Sequence, residues 1–260
     1  MTHTRPKIAL VTGAGKRLGQ TIAVELARSG WDVAIHYGSS ALDAEQTANT
    51  IRQLGRQAIT LQADLENEFA VAQLVARCQA ELGLPDCIVN NASLFDYDDI
   101  QQFSYANLDK HMRINVAAPL TLARSLFSLR KGLGHQLTHP GVIINLLDQK
   151  LENLNPDYLS YTLSKVALDK ATILLAKALA PTLRVVGVAP GVTMMSKDQT
   201  EIGFEASTKL TPLGYSSTPE DIAQAVLYLA TAHAVTGTTL FVDGGQHLQP
   251  MERDVVFLTQ

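Results

Sequence analysis

The sequence has few of the residues that stabilise small secreted domains or bind metals through sulfur. Its 260 residues include only two cysteines, Cys78 and Cys87, so we expect neither a disulfide scaffold nor a metal site. No apolar run approaches the roughly 18 residues of a membrane-spanning helix, and residues 1–13 are typical of a first strand rather than a secretory signal. These absences favour a soluble cytoplasmic protein in which both cysteines pack as small apolar side chains.

The sequence also has no large excess of positive or negative charge. The net charge is −4 and 18% of the residues are charged, so the chain offers no basic surface for nucleic acid or an anionic membrane. Hydrophobic residues make up 46%, as in ordinary globular proteins. The length allows one large α/β domain or two small ones. Because we find no repeat and no linker-like segment, we expect a single domain over residues 1–260.

Strand-like and helix-like segments alternate along the chain. This alternation predicts right-handed βαβ crossovers and a single-domain Rossmann fold, a doubly wound parallel sheet with helices on both faces. The predicted strands cover residues 7–12, 31–37, 57–62, 86–90, 141–147, 184–188 and 239–242. The predicted helices cover residues 20–29, 41–55, 66–82, 107–130, 158–179 and 219–232.

A glycine-rich turn, TGAGKRLG at residues 12–19, follows the first strand and opens a helix. This is the context of a dinucleotide-binding fingerprint. Gly13 allows a tight turn, Gly19 allows close packing of helix on strand, and the first helical amides face a pyrophosphate. A lone glycine turn is often only structural, but its place in a βαβ unit favours a dinucleotide cofactor.

The end of the second strand indicates which nicotinamide cofactor binds. Proteins that bind NAD usually carry an acidic residue there to hold the ribose hydroxyls, whereas this chain reads VAIHYGSS. Lys16 and Arg17 are placed to meet a 2′-phosphate, with help from the hydroxyls of Ser39 and Ser40. We therefore expect NADP(H). The alternative is that both cations are simply solvated.

Tyr161 and Lys165 form a Y-x-x-x-K pair, and Asp148 lies thirteen residues before the tyrosine, where the fifth strand should end. Four-residue spacing places the phenol and the ammonium on one face of a helix. A neighbouring cation favours the phenolate, so we expect Lys165 to lower the pKa of Tyr161 and make it a proton donor near neutral pH. Alone, this spacing is weak, since it also occurs on solvated helix faces.

With these motifs the whole chain resembles the short-chain dehydrogenase/reductase family. The matching segments are TGAGKRLG, Asp64, NNAS at 90–93, Asn115, YTLSK and APGV at 189–192, in family order and spacing. The resemblance implies that Asn115, Tyr161 and Lys165 are catalytic. It also implies a cofactor-binding set of Gly13, Lys16, Arg17, Leu18, Gly19, His36, Tyr37, Ser39, Ser40, Asp64, Leu65, Asn91, Ala92, Ser93, Tyr161, Lys165, Pro190, Gly191, Val192 and Thr193.

Two departures from the general family pattern narrow the substrate. Arg17 replaces the usual middle glycine of the turn, and Asp148 replaces the usual catalytic serine. Both mark the pteridine reductase branch, which this chain also resembles in IHY at 35–37 and in an aromatic residue after NNAS, Phe95. The resemblance implies that Arg17 reaches the cofactor phosphates and the pterin, while Phe95 stacks on the pterin. Core packing is an equal alternative for Phe95. The implied substrate-binding set is Arg17, Ser93, Phe95, Asp148 and Tyr161.

The chemistry of a pterin explains the aspartate. A carboxylate beside a ketone oxygen would repel the developing alkoxide, whereas reduction of a pterin C=N bond requires a proton on nitrogen. We therefore expect hydride transfer from NADPH to a pterin ring carbon, with the proton from Tyr161 and Asp148. Lys165 would hold the nicotinamide ribose. Asn115 would complete a water-linked proton path, unless its amide only bonds its own helix.

Two other functions stay open. A carbonyl reductase of a small ketone, sugar or acyl thioester is disfavoured by Asp148, and a non-catalytic NADPH-sensing protein is disfavoured by the intact Asn115, Tyr161 and Lys165 set. We also expect residues 194–217 to form a flexible substrate lid and the tail, residues 246–260, to lie at a subunit interface. The resemblance implies a homotetramer.

Overall fold

A computed structural model describes residues 6–134, 139–195 and 199–258. Seven parallel strands form one sheet in the order β3-β2-β1-β4-β5-β6-β7. The predicted parallel Rossmann fold is therefore confirmed. The strands are β1 Ile8–Val11, β2 Asp32–Tyr37, β3 Ala58–Gln62, β4 Cys87–Asn90, β5 Gly141–Leu146, β6 Leu183–Pro190 and β7 Thr239–Val242.

Helices cover both faces of this sheet, and among the residues described above no helix is long and apolar enough to cross a membrane. Side chains of successive strand residues point to opposite faces, so Val11 packs into one core and Leu10 into the other. The helices are α1 Arg17–Arg28, α2 Ala41–Gln53, α3 Glu68–Glu81, α4 Tyr105–Met112, α5 Ala118–Leu133, α6 Leu159–Ala178, α7 Glu201–Lys209, α8 Pro219–Thr231 and α9 Val255–Leu258.

Three helical segments differ from the prediction. The predicted helix over 107–130 begins earlier and is divided by a π-helical turn at Arg113–Ala117, with Pro119 directly after this turn in the first turn of α5. Helix α7 lies inside the predicted lid, and α9 lies in the tail. Neither was indicated by the sequence pattern. Residues 196–198 of the lid and 259–260 of the tail lie outside the described residues.

The strand order positions the site. The chain reverses its direction of travel across the sheet between β1 and β4, and ligands of such folds bind beyond the carboxyl ends of the strands at this switch point. Cys78 and Cys87 lie elsewhere, as free and fully buried thiols. Burial raises the pKa of each to about 12, so both act as apolar side chains, as predicted.

Candidate active site

The glycine turn is held by hydrogen bonds from residues at the ends of two neighbouring strands, β2 and β4. Gly13 adopts a φ of +62°, and its N–H donates to His36 Nδ1 at 3.1 Å. Asn91 Nδ2 donates to the carbonyls of Thr12 and Gly13. A Cβ on Gly19 would lie 2.3 Å from the Gly13 oxygen, so only glycine fits there. Both predicted roles of the glycines are seen in this geometry.

His36 supports this turn through hydrogen bonds of its ring. Its Nδ1 accepts from Gly13, and its Nε2 lies 3.1 Å from the Ala63 carbonyl, so Nε2 carries the proton. Burial lowers the pKa of His36 to about 4, and the ring is neutral near pH 7. We predicted direct cofactor binding, but both ring nitrogens are used within the protein. His36 therefore positions the turn.

Arg17 crosses from the turn to the lid. Its φ is +55°, a left-handed conformation that costs a non-glycine residue about 1–2 kcal/mol, which explains why the family usually has glycine there. The guanidinium donates to the Met195 carbonyl at 2.9 Å. The Thr47 hydroxyl donates to the Gly15 carbonyl at 3.0 Å, so α2 packs on the turn. The 2′-phosphate contacts of Lys16, Arg17, Ser39 and Ser40 stay a prediction.

The Y-x-x-x-K pair and the aspartate meet at the carboxyl end of β5. The Tyr161 hydroxyl donates to Asp148 Oδ2 at 2.6 Å, and Asp148 Oδ1 accepts from the Lys150 amide at 2.9 Å. Lys165 Nζ donates to the Leu146 carbonyl at 2.7 Å. Asp148, Tyr161 and Lys165 line one cavity of about 300 Å³. The predicted catalytic carboxyl and phenol are thus in direct contact.

The pKa shifts in this cluster differ from the expectation. Burial and the negative charge of Asp148 raise the pKa of Tyr161 well above its ordinary value, so the predicted lowering by Lys165 was wrong. Burial also raises the pKa of Asp148, against the opposing hydrogen bonds from Tyr161 and Lys150. Burial lowers the pKa of Lys165 to about 8, with Asp148 acting against it. Tyr161 therefore keeps its proton, beside a carboxyl that protonates more easily than usual.

Asn115 lies in the π-helical turn, a feature common at functional sites. Its Oδ1 accepts from the Leu94 amide at 2.8 Å and from the Ser93 hydroxyl at 3.2 Å. Its Nδ2 donates to the Leu94 carbonyl and, at 2.9 Å, to the Ser164 hydroxyl on α6. The amide joins the loop after β4 to the helix that carries Tyr161. The alternative that it bonds only its own helix is wrong.

Phe95 is an aromatic wall of the cavity rather than a core residue. It is 41% exposed and lies among the residues that line the cavity. Its ring stacks on Tyr158 with centroids 4.3 Å apart and makes an edge-to-face contact with Tyr161, with centroids 4.6 Å apart. One face is therefore used by the protein, while the exposed part of the ring is available to a ligand.

The remaining predicted residues divide into two groups. The first group lines the cavity: Arg17, Leu18, Asn91, Ser93, Phe95, Asp148, Tyr161, Lys165, Pro190, Gly191, Val192 and Thr193. The others lie along the carboxyl ends of β1 to β4, outside that cavity: Gly13, Lys16, Gly19, His36, Tyr37, Ser39, Ser40, Asp64, Leu65 and Ala92. In this second group Asp64 accepts from the Glu66 amide, and Asn67 caps α3.

The sequence analysis missed one wall of the cavity. Lys150 and four tail residues line it: Gln246, Asp254, Val255 and Val256. The tail, expected at a subunit interface, is tied to the loop after β5 of its own chain. Arg253 pairs with Asp157 through both carboxylate oxygens. These contacts join residues about a hundred positions apart, so no local spacing in the sequence marks them.

Known proteins resemble this chain over nearly its whole length. A family model described as "Enoyl-(Acyl carrier protein) reductase" matches residues 13–247. The NADP complex of FolM, alternative dihydrofolate reductase 1 of Brucella canis, superimposes with a TM-score of 0.88 at 38% identity, over 95% of this chain and 96% of that one.

Curated relatives include 3beta-hydroxysteroid dehydrogenase 1 of Eggerthella lenta, which is 32% identical over 94% of this chain and 95% of its own. Dihydromonapterin reductase of Klebsiella pneumoniae is 27% identical over 96% of this chain and 100% of its own.

Proposed function

Because the chain belongs to the short-chain dehydrogenase/reductase family and is an NADP(H)-dependent oxidoreductase, we propose that it reduces the C=N bond of a pterin. The substrate would be a dihydropterin, and dihydrofolate is the closest alternative of the same class. The names of two similar proteins, an alternative dihydrofolate reductase and a dihydromonapterin reductase, support this class.

The hydrogen bond of 2.6 Å between Tyr161 and Asp148 carries the proposal. A carbonyl reductase needs neutral donors at the substrate oxygen, and a carboxylate there would oppose the charge that develops. A C=N bond instead gains hydride at carbon and a proton at nitrogen. A phenol and a carboxyl with a raised pKa, in direct contact, form a proton source suited to the nitrogen.

The glycine turn fits the cofactor. The close packing of Gly13 and Gly19 against residues 91–92 leaves the amino end of α1 at the switch point, where a pyrophosphate is stabilised by the helix dipole. Lys16 and Arg17 would bind phosphate groups, and Lys165 would hold the nicotinamide ribose. When bound, NADPH supplies the hydride.

The residues of this chain then complete the reaction. Tyr161 delivers its proton to the ring nitrogen while the adjacent ring carbon accepts the hydride, which gives a tetrahydropterin and NADP⁺. Asp148 passes its own proton to Tyr161, or binds the pterin N–H groups when it is ionised. Asn115 keeps the loop of Ser93 against α6 through four hydrogen bonds, so it would act on the proton path by positioning this loop and helix. Phe95 covers one face of the substrate ring.

Oxidation of NADPH, followed at about 340 nm, the absorbance band of the reduced nicotinamide, tests this function. Purified protein should be given 7,8-dihydropterins, dihydrofolate and simple ketones side by side. Turnover of the dihydropterins is expected. Turnover of ketones alone would reject the pterin assignment in favour of a carbonyl reductase, and NADPH binding without any turnover would favour a sensing protein.

We also propose a cytoplasmic homotetramer. Helix α6 exposes apolar side chains, among them Leu163, Ile173 and Leu174 at 45%, 37% and 66%, and an exposed apolar face of this kind is suited to subunit contact. The two free thiols agree with a reducing compartment. Light scattering on the eluting protein should give a mass of about four chains, and a monomer mass would reject the assembly.

A further inference from the structure

The tail reaches the cavity because a cluster of polar contacts fixes it to the loop after β5. Lys150 Nζ bonds the Asp157 carbonyl at 2.6 Å and Asp254 Oδ2 at 3.3 Å. The Asp157 carboxylate accepts from the Asp254 amide at 2.7 Å as well as from Arg253. Asn153 bonds the tail at Gln249 and Met251. The position of Asp254 is therefore determined by its neighbours.

The Asp254 carboxylate is held by hydrogen bonds within the protein and also faces the cavity. Its Oδ1 accepts from the Val256 amide at 3.1 Å and its Oδ2 from Lys150. The side chain is 16% exposed and lines the cavity that contains Tyr161. A carboxylate oxygen has about two acceptor sites, so both oxygens can accept a further hydrogen bond from a ligand. Its charge contributes to the raised pKa of Tyr161, which places it within electrostatic range of the proton donor.

The chemistry of a dihydropterin determines which part of the substrate meets this carboxylate. In a 7,8-dihydropterin the C=N bond joins N5 to C6, and C6 carries the side chain. N5 must lie at Tyr161 to receive the proton. The side chain therefore leaves the ring one atom away from the proton donor. The tail lines the same cavity as Tyr161, and Asp254 is the charged residue among the tail residues in that lining.

We infer that Asp254 is a specificity-determining residue that accepts hydrogen bonds from hydroxyl groups on the C6 side chain of the substrate. This inference rests on the proposed function. Hydroxyl donors to a carboxylate form hydrogen bonds about twice as strong as neutral ones. The site would then favour pterins with a hydroxyalkyl side chain over those with an alkyl side chain.

Two substrates with the same ring separate this role from catalysis. Asp254→Asn should be compared with the wild type on 7,8-dihydrobiopterin, which has side-chain hydroxyls, and on 6-methyl-7,8-dihydropterin, which has none. We expect KM for dihydrobiopterin to rise about tenfold, the effect of losing one charge-assisted bond. We expect KM for the methyl compound to stay within about twofold. Because Asp254 also contributes to the raised pKa of Tyr161, any change in kcat should be the same for both substrates. Asp254→Glu should recover part of the loss.

Glu252→Gln is the matched control, because Glu252 is an exposed acid of the same tail and the change removes the same charge. It should leave both KM values unchanged. If Asp254→Asn changes KM equally for the two substrates, or changes neither KM, the role of Asp254 is overturned. The proposed function would stay intact. If the wild type reduces neither pterin, the proposed function itself fails, and this inference fails with it.

Discussion

The cavity is lined on the side of the glycine turn by Arg17 and Leu18 (the turn wall) and on the side of the tail by Asp254, Val255 and Val256 (the tail wall). The glycine turn and the tail hold their polar groups in different ways. In the turn, backbone amides and carbonyls of residues 12–19 bond to His36 and Asn91, each at the end of a neighbouring strand. In the tail, charged side chains such as Arg253 and Asp157 bond across 96 residues of sequence. The first wall presents backbone to a ligand, whereas the second presents side chains.

This difference suggests that the glycine turn binds the cofactor and the tail selects the substrate. Backbone groups on a rigid strand-turn-helix unit suit the phosphates and riboses, which are common to every cofactor molecule. Side chains on a loop and a short terminal helix can be exchanged without disturbing the sheet, which suits substrate choice. The proposed catalytic pair, Tyr161 and Asp148, lines the same cavity.

The largest effect should come from removing the proton donor while leaving both walls unchanged. Tyr161→Phe deletes one oxygen, so kcat for dihydropterin should fall by about 10²–10⁴. NADPH affinity, measured by fluorescence titration, should change less than about twofold, because the turn is untouched. An equal loss of NADPH affinity would mean that the tyrosine acts mainly in cofactor binding.

The stability of the folded protein should depend on pH through His36, which bonds the glycine turn. Its pKa is about 4 in the folded protein and about 6.5 when unfolded, so the unfolded chain binds a proton in this window. Stability due to this group is full above pH 6.5 and is lost as pH falls toward 4, by about 3 kcal/mol. Urea unfolding of the wild type and of His36→Asn at several pH values measures this slope. The variant should lose that part of the dependence, and an unchanged slope would contradict the neutral buried ring.

Arg17 allows backbone strain and ligand binding to be separated. Arg17→Gly removes both the side chain and the left-handed strain, whereas Arg17→Ala removes only the side chain. Both should weaken NADPH binding by about tenfold, the loss of one or two charge-assisted hydrogen bonds. The alanine variant should be less stable than the glycine variant by about 1 kcal/mol. Equal thermal stability of the two would contradict the strained conformation.

The smallest expected effect concerns Lys16 at the outer edge of the turn. Lys16→Ala should reduce the preference for NADPH over NADH by a few-fold, since an exposed ion pair contributes about 0.2–1 kcal/mol. The ratio of kcat/KM for the two cofactors measures it. An unchanged ratio would mean that the lysine is only solvated.

The same contrast explains what could be predicted from the sequence. The parallel sheet, the glycine turn and the Tyr161–Asp148 contact depend on periodicity and on motifs of fixed spacing. The direction in which the pKa of Tyr161 shifts could not be predicted, because it depends on burial and on which charged group is nearer in space. The tail wall was missed because the contact between Lys150 and Asp254 spans 104 residues and has no local pattern.

The most direct test of pterin reduction is the exchange of Asp148 for the serine usual in the family, with Asp148→Asn alongside. NADPH oxidation should be measured for both variants and the wild type with a 7,8-dihydropterin and with a ketone, together with NADPH affinity. The pterin mechanism predicts a fall of about a hundredfold or more in dihydropterin turnover in both variants, with NADPH still bound. Preserved or increased activity in Asp148→Ser would contradict it, because the carboxyl would then have no part in the proton transfer.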